Sequence, residues 1–153
     1  MAGKTNFAVD KDNLEVKIER EFTASPERLW QAYTEPDQIV KWWSDTKVDK
    51  FELKVGGKWR FVGVGGDGKE FGFRGEFKEL DPLKKIVRSF EYEPMAGHIM
   101  VESTMFEPVG DGLTKVTILS KFSNIDDLNG MVSMGMESGS SIGLDRLANL
   151  VES

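Results

Sequence analysis

Between Thr46 and Phe122 the chain offers no helical pattern, only short segments rich in aromatic and β-branched residues separated by turn signals. The turns fall at Gly56-Gly57, Gly65 to Gly68, Asp81-Pro82, Pro94 to Gly97 and Gly110 to Gly112. Between them lie FRGEFKEL, KIVRSFEY, MVESTMFE and LTKVTILSKF. Strands joined by such short turns have no room for crossover helices, so they must form an antiparallel meander. An earlier segment, Leu14 to Phe22, alternates strictly, with Leu14, Val16, Ile18 and Phe22 on one face and charged residues on the other. It reads as a half-buried strand.

Helical signals flank this strand-rich stretch. Ser25-Pro26-Glu27 places a cap, a first-turn proline and an acid at the positive end of a short helix carrying Leu29, Trp30 and Tyr33. Pro36 and Asp37 begin a second short helix through Ile39, Val40, Trp42 and Trp43. The segment from Ile125 to Glu152 predicts one long helix, about 40 Å if unbroken, capped by Asn124 or Asp126. Its apolar stripe includes Leu128, Val132, Met136, Leu147 and Leu150. Gly135, Gly139 and Gly143 recur at spacing four, on or beside that stripe. Each costs about 1 kcal/mol relative to alanine inside a helix. Removing side chains there either lets the sheet approach closely or leaves room for something else. The expected fold is therefore α+β: a curved antiparallel sheet wrapped around a long C-terminal helix, in a single domain over residues 1–153, with residues 1–12 a loose N-terminal extension.

Composition narrows the function. A net charge of −6 argues against a nucleic-acid partner, because phosphate binding relies on clustered Lys and Arg. The same balance, with no apolar stretch of spanning length, argues against membrane insertion and for a cytoplasmic location. There is no cysteine, which removes thiolate chemistry and disulfides. The single histidine, His98, with scattered carboxylates makes a poor metal set, and no nucleophile-elbow pattern accompanies it. No metal, cofactor or catalytic set is expected. GVGGDGKE, Gly63 to Glu70, fits a glycine-rich phosphate loop by spacing but runs into the strand FGFRGEF rather than a helix, so it reads as a hairpin turn.

Some polar residues fall in the apolar phase. Arg20 shares the face of Ile18 and Phe22; Arg88 shares that of Ile86, Phe90 and Tyr92; Glu102 shares that of Met100, Thr104 and Phe106. If the strands on either side of the Pro94–Gly97 turn pair, Arg88 and Glu102 become near neighbours. These charges lie either at the sheet edge or convex face, or inside a pocket with apolar walls and a few polar anchors.

The run REFTASPERLWQAYTEPDQIVKWW, then VGGKWRF, GHIMVESTMFEPVGDG, NGMVSMGMESG and DRLANL, resembles the domains homologous to the activator of the heat-shock-protein-90 ATPase, within the START-like (SRPBCC) superfamily, in their bacterial single-domain form. The resemblance covers about Arg20 to Leu150. It implies a helix-grip fold whose cavity accepts lipids, sterols, polyketides or other apolar molecules. The co-chaperone of that family binds its chaperone through a separate N-terminal domain for which this chain has no room, so a small apolar ligand is expected ahead of a chaperone partner. On this reading the cavity is bordered by Gly135 and Gly139 and lined by Trp59, Phe61, Phe73, Phe90, Tyr92, His98, Met131 and Met136, with Arg88 and Glu102 as polar anchors. The alternatives are an enzyme acting on an apolar or aromatic substrate through His98, Glu102 or Arg88, and a stress-related protein-interaction domain.

Overall fold

Alternation decides the first long strand: in β2 (Glu15–Phe22) Val16, Ile18, Arg20 and Phe22 are all buried while Lys17 and Glu21 face solvent. The computed structural model describes residues 3–43, 46–65 and 67–152. After β2 come α1 (Pro26–Thr34) and α2 (Pro36–Trp42), each entered through a proline. Ser25 Oγ accepts from the Arg28 amide, the capping that the Ser-Pro-Glu sequence predicts.

The meander follows: β3 (Thr46–Phe51), β4 (Lys58–Val64), β5 (Glu70–Asp81), β6 (Lys85–Tyr92), β7 (Ile99–Gly110) and β8 (Leu113–Lys121). The glycine-rich loop is the β4–β5 hairpin connection, closed by a bond from the Gly65 amide to the Lys69 carbonyl; Gly66 lies outside the described residues. Residues 6–10, expected to trail as a loose extension, instead form β1 (Asn6–Asp10), paired along its length with β2. Phe7 and Val9 share one face there with only Ala8 between them, a signal too short to read alone. The eight strands make one curved antiparallel sheet in the order β1-β2-β8-β7-β6-β5-β4-β3, so β2 closes against the last strand of the meander.

The C-terminal segment departs from the expectation of one continuous helix. It is two helices, α3 (Ile125–Ser133) and α4 (Met136–Val151), with the break at Gly135, whose φ of +90° lies in the left-handed region. Asn124 caps α3 by accepting from the Asp127 amide. Glycine recurring every four residues conceals the break, because Gly135 fits the helical stripe and the left-handed turn equally well. Replacing Gly135 with alanine forces a Cβ into that conformation, and a denaturant melt is expected to show a loss of about 1–2 kcal/mol.

Only the C-terminal half of α4 is seated. Leu144, Leu147, Ala148 and Val151 are buried, against α1, α2 and β2. Buried Arg20 reaches up to the Asp145 carboxylate, Arg28 donates to the Leu150 carbonyl at 3.2 Å, and the Glu152 carboxylate accepts from the Thr23 amide at 2.8 Å. The N-terminal half of α4, from Met136 to Gly143, buries no residue fully, and this asymmetry creates the site.

Candidate ligand-binding cavity

Beneath the unseated half of α4 lies a cavity of about 450 Å³, within the ordinary range of small-molecule sites. Its roof is the α3–α4 junction: Met131, Met134, Gly135, Met136, Gly139 and Gly143. A Cβ built on Gly139 or Gly143 would meet nothing within 4 Å. The two readings of the glycine stripe are therefore separated. At these positions the missing side chains leave open space, not close packing. The opening faces solvent where Met134 and Ile142, both more than half exposed, rim it.

The walls and floor come from the concave face of the sheet. Phe73, Phe90 and Tyr92 line it as expected, and their rings interlock: Phe73 lies 5.5 Å from Phe90 and 5.1 Å from Tyr92. Trp43, just past α2, closes one side with its ring 5.6 Å from Phe73. Met residues over aromatic walls make a surface that can re-pack around differing apolar shapes.

The floor also carries a polar row. Arg88 on β6, Glu102 on β7 and Ser120 on β8 are direct cross-strand neighbours, so their side chains share the concave face. Arg88 Nε donates to Glu102 Oε1 at 2.9 Å, and both side chains are largely buried, at 10% and 15% exposure. The guanidinium also lies 4.2 Å from the Trp59 ring centroid, a cation–π contact that helps a buried charge stay paired. Of the two positions open to these charges, edge or pocket, the structure has them in the pocket. Tyr33, from α1, completes the polar end. Burial pushes its phenol well above the usual tyrosine range, with the Glu102 charge adding to the rise and Arg88 opposing it. The phenol therefore stays protonated.

Three residues expected in the lining are elsewhere. Trp59 and Phe61 sit on the concave face but one layer down, each 1% exposed. Arg88 covers Trp59, while Trp43 and Phe51 cover Phe61 at 5.0 and 6.2 Å. Neither borders the cavity, with Arg88 lying over Trp59 and Trp43 against Phe61. His98 precedes β7 in the turn and points outward; its Nδ1 lies 2.6 Å from Asp127 Oδ1 at the start of α3, beside a small separate recess. Among the lining residues not expected at the site from the sequence are Tyr33, Trp43 and Ser120. Ser120 did leave a signal, since it falls in the apolar phase of LTKVTILSKF with Val116 and Ile118.

The family model described as activator of Hsp90 ATPase homolog 1-like protein matches residues 23–152, nearly all of the described chain. The chain belongs to this family. No curated protein matches the chain. Solved structures do. The chain is similar to protein Ms6760 from Mycobacterium smegmatis, at 23% identity and a TM-score of 0.86 over 96% of each chain. It is similar to a Rhodobacter sphaeroides protein at 20% identity and 0.85, over 96% of this chain and 97% of that one. CalU16 from Micromonospora echinospora is similar at 19% identity and 0.72, over 96% and 85%. At these identities the likeness establishes the shared fold. The helix-grip arrangement of the activator-homologue family accounts for both halves of α4: one half gripped by the sheet and α1–α2, the other roofing a hollow.

Proposed function

We propose that this member of the activator-homologue family binds a small, largely apolar molecule in the cavity under α4, as a carrier or binding protein in the cytoplasm. One observation carries the reading: Gly139 and Gly143 leave open volume at the border of a cavity walled by Phe73, Phe90 and Tyr92. A fold that needed only packing would seat side chains there, since alanine at either position would gain helix propensity. The composition of the walls suits an apolar molecule, and the buried polar row suits a single polar feature on it.

The enzyme alternative draws less support. His98 stands outside the cavity, and Arg88 and Glu102 are engaged with each other. Native mass spectrometry of the purified protein is expected to reveal a co-purifying small molecule that is lost on denaturation. A ligand-free protein that also fails to bind an apolar fluorescent dye would remove the proposal.

A further inference from the structure

Resting on that reading, we infer that the inner end of the cavity recognises one neutral oxygen, a hydroxyl or ketone, on an otherwise apolar ring-containing ligand, and that Tyr33 and Ser120 are the residues that read it.

The argument begins with two orphaned hydroxyls. Tyr33 Oη and Ser120 Oγ are both buried, line the same cavity and have no hydrogen-bond partner among the described residues. A buried polar atom left unpaired is costly, and native proteins keep few of them. Two in one cavity, neither hydrogen-bonded among the described residues, point to a partner that enters the cavity. Both lie at its inner end. Ser120 is the cross-strand neighbour of Glu102, and the Tyr33 phenol is close enough to feel both Glu102 and Arg88. The phenol remains protonated there and is available to donate.

Charge then selects the kind of oxygen. Arg88 and Glu102 form an ion pair at 2.9 Å, so the inner end presents no uncompensated charge. A ligand carboxylate or ammonium pushed against this pair would itself be buried without a free counter-ion, which is strongly unfavourable. A neutral oxygen meets no such cost. A ketone can accept from Tyr33 and Ser120. A hydroxyl can accept from one and donate to the other hydroxyl or to Glu102. The rest of the ligand must be apolar and flat, because it lies among Trp43, Phe73, Phe90 and Tyr92.

Three fluorescent probes of one shape test this: pyrene, 1-hydroxypyrene and 1-pyrenecarboxylate, titrated into the full chain and into Tyr33→Phe and Ser120→Ala. The protein is expected to bind 1-hydroxypyrene about tenfold more tightly than pyrene, the worth of one well-made hydrogen bond. The carboxylate is expected to bind no better than pyrene. Tyr33→Phe is expected to erase most of the hydroxyl preference, read as the ratio of 1-hydroxypyrene to pyrene affinity in the same variant, and Ser120→Ala to reduce it. Neither ligand-free variant should melt below the parent, since each loses an unpaired polar atom. If pyrene binds but 1-hydroxypyrene is not preferred, or the preference survives both substitutions together, the recognition inference falls and the binding function stands. If no probe binds, both fall. Tighter binding of the carboxylate than of the hydroxyl would overturn the charge argument.

Discussion

Gly139→Leu is expected to yield a folded protein that no longer binds an apolar reporter dye. The leucine side chain would enter space where nothing lies within 4 Å of a Cβ, so it fills the cavity without displacing a neighbour. Replacing a mid-helix glycine also removes a penalty of about 1 kcal/mol, which for a chain of this size raises the melting temperature by about 2–4 °C. Stability and binding should therefore move in opposite directions. That pairing is diagnostic, because damage to the fold would lower both. If the region were tightly packed, leucine would cost about 1–3 kcal/mol as an overpacked residue. A destabilised Gly139→Leu variant that still binds the dye would contradict the cavity assignment.

Arg88→Met is expected to be among the most damaging single changes in the sheet, at about 3–5 kcal/mol in a denaturant melt. The substitution roughly conserves the length of the side chain but strips Glu102 of its ion-pair partner while that carboxylate stays mostly buried. It also removes the guanidinium from the Trp59 face. The companion experiment is the double variant Arg88→Met with Glu102→Leu. Removing both charges leaves nothing unpaired, so most of the lost stability should return, as a positive coupling in a double-mutant cycle. An Arg88→Met variant within 1 kcal/mol of the parent would mean that water reaches Glu102 freely, at odds with its burial.

The phase of the polar residues was legible because side-chain direction along a strand has period two and is a local property. That is why Arg20, Arg88 and Glu102 could be assigned to the apolar phase of their strands, with sheet edge, convex face and pocket all left open, and why the Arg88–Glu102 pair followed once the two strands were paired through their turn. The aromatic wall of Phe73, Phe90 and Tyr92 was readable on the same ground. The helix caps at Ser25 and Asn124 were also local, each resting on a side chain and an amide three residues on.

What the sequence by itself determined is thus most of the elements, though not β1 or the break between α3 and α4, together with the apolar phase of the strands and the family pattern running through them. The tertiary structure alone decided depth. Trp59 and Phe61 face inward as their alternation requires, yet lie beneath Arg88 and Trp43, because which inward residue is covered depends on packing between distant segments. His98 was drawn out of the cavity by Asp127, 29 residues away. Gly135 became a left-handed break and Gly139 a stretch of bare helix, although the two share one spacing; only the seating of Leu144, Leu147 and Val151 distinguishes them. Tyr33 reads as one more apolar position of α1. Its hydroxyl acquires meaning only when three strands more than 50 residues further along bring Arg88, Glu102 and Ser120 close to it.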